Sequence, residues 1–212
     1  MDKLIGFLRA NRWARRSLTG ASALLIVVAV GLLGYPVYTN YVHNQLQAKL
    51  RRQLASPSLK NAYENHQLQV GDSLTRIQIP TLGVDVVVVE GTTANALRAG
   101  AGHYPGYPLP CDLGNVPIAG HRTTYGKPFT NLDQLKVGDQ IILTTPIGTC
   151  TYSVDTKPFV VLPNDIAVVQ SPPTPAAPPG DDHLLTLTTC TPKGSATHRL
   201  VVQANMVSSQ SA

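Results

Sequence analysis

A long uncharged run near the start of the chain constrains its fold more than any other feature. Residues 18–38 contain no Asp, Glu, Lys or Arg and are rich in Leu, Val, Ala and Gly. At a rise of 1.5 Å per residue, a helix of this length spans roughly 30 Å, the thickness of the hydrocarbon layer of a bilayer. The run therefore predicts one transmembrane helix, and Tyr35, Tyr38 and Tyr41 at its far end suit the membrane interface.

The charges that flank this run predict its orientation. Residues 1–17 carry five Lys or Arg side chains and one acidic residue, Asp2. Because positively charged flanks stay on the cytoplasmic side, we interpret residues 1–17 as a cytoplasmic tail and everything after Tyr38 as extracellular. The expected location is the cell membrane, with a single pass. A cleaved signal peptide is the alternative, since Ala29–Gly31 resembles a cleavage site, but the apolar run continues past it.

The basic tail also accounts for most of the formal net charge of +5. Five of the 17 basic and one of the 12 acidic residues lie in residues 1–17, which leaves 12 basic and 11 acidic residues elsewhere. Binding to nucleic acid requires clustered positive charge on the folded part of a protein. The composition therefore argues against nucleic acid as a partner.

Residues 39–72 are polar and only weakly periodic. An amphipathic helix is predicted from Tyr41 to about Leu54, and Ser56–Ser58, with a central proline, interrupts it. We interpret the whole segment 39–72 as a stalk that holds a domain off the membrane.

From Ser73 onward, apolar and polar residues alternate in short runs separated by turns rich in Pro and Gly, which is typical of β-strands. Ala94–Ala99 predicts a short helix. The predicted strands are Leu74–Ile79, Val84–Val89, Val116–Ala119, Gln140–Thr145, Thr149–Val154, Lys157–Leu162, His183–Cys190 and His198–Ala204. The expected fold class is all-β, a closed barrel of about eight strands with short helices over residues 73–207, followed by a disordered tail at 208–212.

Three residues at the ends of predicted strands could form a thiol acyl-transfer site. The run Thr186–Cys190 delivers a cysteine to a strand end, Arg199 follows in the next strand, and His121 ends a third. A thiolate attacks an amide carbonyl, an imidazole moves protons, and a guanidinium stabilises the developing oxyanion. Taken alone, Cys190 would be interpreted as a small buried apolar residue. Its combination with His121 and Arg199 favours the catalytic interpretation instead.

With these residues the chain resembles the sortases, which are membrane-anchored cysteine transpeptidases of Gram-positive bacteria. Thr186–Cys190 reads Thr-Leu-Thr-Thr-Cys and fits the family motif Thr-Leu-x-Thr-Cys at every fixed position. His121 and Arg199 lie where the family has its histidine and arginine. The phrase Gly120–Phe129 is most similar to the actinobacterial class E sortases, and the resemblance covers about Leu74–Met206 plus the N-terminal anchor.

The resemblance implies a sortase β-barrel and a sorting reaction. The expected substrate is a C-terminal Leu-Pro-x-Thr-Gly or Leu-Ala-x-Thr-Gly signal, cleaved between Thr and Gly through a thioacyl-enzyme. The implied partners are secreted proteins with this signal and a peptidoglycan precursor or other cell-wall amine, and no cofactor is implied. A class C-like sortase that polymerises pilins and a non-catalytic extracytoplasmic binding module are the alternatives. The absence of a lid motif before the domain favours the protein-anchoring enzyme.

The resemblance also assigns roles to single residues. Cys190 is the expected nucleophile, His121 the general acid–base, and Arg199 the group that binds the carbonyl oxygen of the scissile Thr. The expected substrate-binding residues are Thr189, Thr123, Tyr125 and Arg122. Arg122 adjoins His121, and support of the site from behind the substrate-contacting residues and a solvent-exposed role are both open for it. A plain strand position is the alternative for Thr189.

The pairing of the cysteines depends on the role of Cys190. As a nucleophile it must stay free, which leaves Cys111 and Cys150 to form a disulfide outside the cell, and two unpaired cysteines are the alternative. No spacing typical of metal ligands is present in the sequence. The Pro-rich loop Pro163–Asp182 is either a stiff linker or a wall of the substrate groove, and the resemblance favours the groove.

Overall fold

The computed structural model describes residues 11–170 and 183–211. The chain divides between Thr39 and Asn40 into two compact units. In its described part the first unit is helical, and the second contains the β-sheet and the cysteines.

Nine strands and three α-helices occur among the described residues. The strands are β1 (Ser73–Ile79), β2 (Val84–Glu90), β3 (Ala101–His103), β4 (Gly114–Ala119), β5 (Gln140–Thr145), β6 (Gly148–Val154), β7 (Phe159–Val161), β8 (His183–Thr191) and β9 (His198–Ser211). The helices are α1 (Arg12–Leu54), α2 (Pro57–Glu64) and α3 (Ala94–Ala99). Short 3-10 turns lie at Pro80–Leu82, Leu132–Gln134 and Ile166–Val169.

Eight of the strands close into a barrel. Their order is β6-β5-β1-β2-β3-β4-β8-β9, and β9 pairs back with β6 from Gly148↔Ser211 to Val154↔Ala204. The short strand β7 adds to β9 outside this circuit, with Val161 opposite Arg199. Closure gives the strand edges partners within the sheet. The predicted closed barrel of about eight strands is confirmed.

Two parts of the sheet differ from the sequence prediction. No strand is predicted at β3, because Ala101–His103 is too short to show alternation, yet this segment pairs with β2 and β4. The prediction of a disordered tail at 208–212 is wrong for Ser208–Ser211, which continue β9 and pair with Gly148–Thr151 of β6. Their polar side chains carry no burial signal, and backbone pairing alone orders them. Ala212 lies outside the described residues.

Helix α1 is the one helix among the described residues that is long and apolar enough to cross a membrane. Its most apolar 18-residue window has a mean hydropathy of 2.1 and no buried side chains. An apolar helix with no core to pack against is typical of a membrane span. This observation is consistent with the predicted single-pass anchor.

The C-terminal segment of α1 (Asn40–Leu54) belongs to the barrel domain, and the stalk interpretation does not hold for it. Gln47 is 6% exposed, and its amide exchanges hydrogen bonds with the backbone of Val87 in both directions, at 3.0 and 2.7 Å. The same amide donates to the carbonyl of Ala99 at 2.7 Å. Leu50 packs in an apolar cluster that holds Val87, Val89, Ala96 and Ala99.

Helix α2 is also part of the domain. Ser56 caps it, since the N–H of Leu59 donates to the Ser56 hydroxyl. Tyr63 is 2% exposed and donates its hydroxyl to the carbonyl of Pro110 at 2.9 Å. The residues that interrupt the amphipathic pattern therefore start a short packed helix.

The barrel interior is filled by apolar side chains that alternate along the strands. Ile77, Ile118, Leu143, Leu185 and Val202 come from five different strands, and each is 0% exposed. Burying one such side chain contributes about 1.5–3 kcal/mol to folding. This core fixes β4, β8 and β9 relative to one another.

A disulfide joins Cys111 and Cys150, whose Cα atoms are 5.8 Å apart. Cys150 lies in β6 and is 0% exposed, and the N–H of Cys111 donates to the hydroxyl of Tyr152 at 3.2 Å. In the loop-entropy description, a cross-link over 39 residues stabilises the fold by roughly 4 kcal/mol. Cys190 is the free cysteine among the described residues.

Candidate active site

Strands β4, β8 and β9 lie side by side and bring Cys190, His121 and Arg199 to one end of the barrel. Strands β4 and β8 run parallel, and their register extends to Ala119↔Thr188. His121 lies two residues beyond Ala119, and Cys190 lies two residues beyond Thr188, so both are at the same level. Strand β9 is antiparallel to β8 and places Arg199 directly opposite Cys190.

Cys190 and Arg199 share one face of the sheet, because directly opposed residues of antiparallel strands point the same way. The thiol of Cys190 is free and the residue is half-buried. One nitrogen of Arg199, Nη1, donates to the carbonyls of Ala196 and His198 at 3.0 and 3.1 Å. A guanidinium has five N–H donors, so these bonds leave part of its fork for another acceptor.

Gly120 lets the ring of Phe129 pack directly against the backbone just after β4. A Cβ atom at this position would lie 2.5 Å from the ring of Phe129. The N–H of Gly120 donates to the carbonyl of Thr188 at 3.0 Å, and the carbonyl of His121 accepts from the N–H of Phe129 at 3.2 Å. The backbone on both sides of His121 is therefore held in place.

His121 is half-buried, and the loss of solvent lowers the pKa of its imidazole below the usual 6.5. The ring of Tyr125 lies 5.5 Å away, tilted by 37°. The imidazole is consequently neutral for the most part at neutral pH. It is able to accept a proton from a neighbouring group.

The loop after His121 is tightly turned and supported by residues that the sequence analysis did not identify. Tyr125, Gly126 and Lys127 all have positive φ, and a Cβ at Gly126 would collide with the ring of His43. The guanidinium of Arg98 lies 5.8 Å from the centre of the Tyr125 ring, within range of a cation–π interaction. Tyr125 therefore packs beside the imidazole, between His121 and Arg98.

The two threonines proposed for substrate binding occupy different environments. Thr189 is 3% exposed, and its hydroxyl donates to the carbonyl of Gly120 at 2.7 Å. Neighbouring residues of a strand point to opposite faces, so Thr189 points away from the Cys190 face. The contact with Gly120 favours the plain structural alternative for Thr189. Thr123 is exposed.

Arg122 is buried, and the alternative of an exposed position is wrong. It is 7% exposed and forms an ion pair with Asp133 at 3.0 Å. Its Nη1 donates to the hydroxyl of Thr191 at 2.7 Å and to the carbonyl of Cys190 at 3.4 Å. Its guanidinium is therefore occupied by groups of the protein itself.

The Cys190 face continues along β8 through Thr188 and Thr186. The hydroxyls of Thr188 and Tyr104 are 3.2 Å apart, and Thr186 donates to the side-chain oxygen of Asn115 at 2.9 Å. An apolar cluster adjoins this face and consists of Tyr104, Tyr107, Phe159, Val161, Val168, Val169 and Val201. Thr186 and Thr188 are 0% and 3% exposed, so their hydroxyls hold this face to its neighbours within the protein. Tyr104 lies 84 residues from Thr188 in the chain, so no local pattern could identify it.

The loop Pro163–Asp182 is described as far as Gln170. The 3-10 turn Ile166–Val169 lies against this same face, and Asn115 donates to the carbonyl of Gln170 at 2.9 Å. Residues 171–182 lie outside the described residues. That this part of the loop forms a wall of the substrate groove therefore stays a prediction.

His103 and Glu90 form a buried pair of an imidazole and a carboxylate. His103 is 0% exposed, with Nδ1 2.8 Å from a carboxylate oxygen of Glu90 and Nε2 2.9 Å from the carbonyl of Pro108. Within residues 11–170 and 183–211, no group of three or more His, Cys, Asp or Glu could hold a metal ion.

Known proteins with similar sequences are sortases. Residues 77–207 match the sortase domain. Sortase SrtE1 of Streptomyces coelicolor is 28% identical over 93% of this chain, and sortase D of Bacillus subtilis is 29% identical over 66% of it. The chain spans 62% of the length of sortase SrtE1 and 66% of sortase D.

Solved structures of sortases have the same fold. Sortase E from Streptomyces avermitilis is 36% identical, with a TM-score of 0.62 over 68% of this chain and 93% of that one. Sortase E1 of Streptomyces coelicolor, solved with a tripeptide in its active site, is 31% identical, with a TM-score of 0.63 over 66% and 91%. The sortase-domain match extends over more than half of the chain and coincides with the closed barrel and its three converging strand ends. This chain therefore belongs to the sortase family.

Proposed function

We propose that this protein is a membrane-anchored cysteine transpeptidase that cleaves a C-terminal sorting signal between Thr and Gly. The signal is of the Leu-Pro-x-Thr-Gly or Leu-Ala-x-Thr-Gly type. The observation that carries the proposal is the strand register that sets Cys190 opposite Arg199 and level with His121. The tripeptide bound in the active site of sortase E1 supports a peptide substrate.

In the first half-reaction, the thiol of Cys190 gives its proton to the neutral imidazole of His121. The sulfur attacks the carbonyl carbon of Thr, and the C–N bond to Gly breaks as the tetrahedral intermediate collapses. The imidazolium returns the proton to the departing amine. The products are a thioester on Cys190 and a free glycine amine, and the lowered pKa of His121 suits the proton-accepting step.

In the second half-reaction, an amine of the cell wall attacks the thioester. His121 accepts the proton of the attacking amine, the C–S bond breaks, and the proton returns to the sulfur of Cys190. The acyl group leaves as an amide joined to the cell wall. The acceptor is a peptidoglycan precursor or another cell-wall amine.

Arg199 stabilises the oxyanion that forms on the Thr carbonyl in both half-reactions. Its position opposite Cys190 supports this role, and its bonds to Ala196 and His198 involve only Nη1, which leaves other donors for the carbonyl oxygen. Donors aimed at a developing negative charge are among the strongest contributions to acyl-transfer catalysis.

The reaction takes place outside the cytoplasm. The basic residues before the apolar part of α1 favour a cytoplasmic N-terminus, and the disulfide between Cys111 and Cys150 suits an oxidising compartment. The substrates are secreted proteins that carry the sorting signal.

Peptide cleavage by the full-length protein in detergent tests this function. The wild type is expected to cleave a Leu-Ala-x-Thr-Gly peptide between Thr and Gly, and Cys190→Ala is expected to abolish cleavage while keeping the fold. His198→Gln is the matched control, because His198 is exposed and lies opposite Thr191 instead of Cys190. Undiminished cleavage by Cys190→Ala would show that another group performs the reaction.

A further inference from the structure

Arg122 contacts three parts of the site at once. Its Nη1 donates to the hydroxyl of Thr191 at 2.7 Å and to the carbonyl of Cys190 at 3.4 Å. Its Nη2 forms an ion pair with Asp133 at 3.0 Å, in the 3-10 turn that follows the His121 loop. In the sequence, Arg122 directly follows His121.

These contacts lie where the pairing of β4 with β8 ends. The register of the two strands extends to Ala119↔Thr188, and the N–H of Gly120 adds one bond to the carbonyl of Thr188. His121 and Cys190 lie beyond this point. Beyond the last backbone bond between β4 and β8, the guanidinium of Arg122 links the segment after β4 to Cys190 and Thr191 at the end of β8.

The chemistry of arginine suits this role. The planar fork of a guanidinium presents several donors in fixed directions, so it can hold a carbonyl, a hydroxyl and a carboxylate together. Arg122 is 7% exposed, while the side chain of Asp133 is 45% exposed. Its buried Nε–H has no acceptor among the described residues, so the guanidinium is held through Nη1 and Nη2. A buried charge is costly unless paired, which makes these contacts strong constraints on both segments.

We propose that Arg122 is a positioning residue that sets the distance between His121 and Cys190. It holds the Cys190–Thr191 end of β8 against the loop that carries His121, and Asp133 holds the guanidinium. This inference rests on the proposed function. Arg122 acts through the backbone of Cys190 and touches neither the substrate nor the thiol.

Kinetics of full-length Arg122 variants test the proposal. Arg122→Met removes the fork and is expected to lower kcat for peptide cleavage by about tenfold or more, because small displacements of reacting groups cost large factors in rate. KM is expected to stay within about twofold, since the buried side chain does not contact the peptide. Arg122→Lys keeps the charge and is expected to recover part of kcat. Each kcat is divided by the fraction of Cys190 that a thiol reagent titrates in the native protein.

Two further variants separate positioning from loss of fold. Thr191→Val removes only the hydroxyl acceptor and is expected to lower kcat by a smaller factor, at an unchanged melting temperature. Arg76→Met is the matched control, because Arg76 also pairs with an aspartate, Asp85, but on the partly exposed surface of β1 and β2. It is expected to keep wild-type kcat.

Hydrogen exchange supplies a readout that needs no substrate. Backbone amides near Cys190 and Thr191 are expected to exchange faster in Arg122→Met than in the wild type, and those of Arg76→Met are expected to be unchanged there.

Three results would overturn the proposal. The first is wild-type kcat in both Arg122→Met and Thr191→Val, and the second is a raised KM with unchanged kcat in Arg122→Met. The third is a loss of activity in Arg122→Met that disappears once kcat is corrected for the fraction of titratable Cys190. If the wild type cleaves no peptide, the proposed function fails. The positioning role is then judged by hydrogen exchange alone, and unchanged exchange of the amides near Cys190 and Thr191 in Arg122→Met overturns it.

Discussion

His121 and Arg199 flank the same thiol but differ in their surroundings. The imidazole of His121 is half-buried beside Tyr125, and this burial lowers its pKa. The guanidinium of Arg199 lies at the turn end of the hairpin between β8 and β9 and donates to the carbonyls of Ala196 and His198. The site therefore combines a neutral proton acceptor with a permanent cation on the two sides of Cys190.

The lowered pKa of His121 predicts a pH dependence of stability. Because the unfolded chain binds the proton more tightly, this contribution is fully present above the ordinary pKa of about 6.5 and is lost as the pH falls through the folded pKa. The free energy of unfolding of the wild type should therefore fall on going from about pH 7.5 to about pH 5. In His121→Asn the fall should be smaller.

Denaturant titrations of both proteins at the two pH values measure this difference. His198→Asn is the control, because His198 is exposed, and its pH dependence should match the wild type. An identical fall in the wild type and His121→Asn would contradict the burial argument for His121.

At the scale of elements, the C-terminal segment of α1 is built into the barrel domain. Gln47 forms three hydrogen bonds with the backbone of Val87 and Ala99, and Leu50 packs against β2 and α3. The sequence shows an amphipathic helix there, but a glutamine looks like a solvent-facing residue until its partners are known. The C-terminal segment of the long apolar helix is thus a structural part of the barrel domain.

Gln47→Ala is expected to destabilise the domain by roughly 2–4 kcal/mol, because it leaves buried backbone groups of Val87 and Ala99 without partners. Gln45→Ala, on the exposed side of the same helix, is the matched control and should change stability by less than about 0.5 kcal/mol. Melting temperatures and denaturant midpoints compare the two variants. Equal stabilities would mean that the segment is only a tether, as in the stalk interpretation.

Strands were predicted correctly where apolar and polar residues alternate over several positions. They were missed where only backbone pairing with a neighbouring strand forms the strand. Strand Gln140–Thr145 has the predicted bounds, since alternation and flanking turns mark it, and the short helix Ala94–Ala99 also has the predicted bounds, since Gly100 follows it. Strand β3 has three residues, and the end of β9 is a run of polar residues. Their hydrogen bonds depend on neighbouring strands that are distant in the chain, which a local pattern does not record.

At the scale of the whole molecule, the barrel brings together residues that are far apart in the chain. The motif resemblance identified Cys190, His121 and Arg199, and the register of β4, β8 and β9 places them at one end. Arg98 and Tyr104 reach the site from α3 and from the chain just after β3, and the sequence held no signal for them. The contribution of such a side chain to the site can be recognised only when the order of the strands is known.

The central claim is that Cys190 carries the acyl group during transfer. Intact-mass analysis of the full-length protein with a Leu-Ala-x-Thr-Gly peptide, in the absence of an amine acceptor, tests it most directly. We expect an added mass equal to the peptide up to Thr minus one water, mapped to Cys190, absent in Cys190→Ala and released by an added amine. Cleavage without this adduct in a rapidly quenched reaction, or an adduct mapped to another residue, would contradict the account.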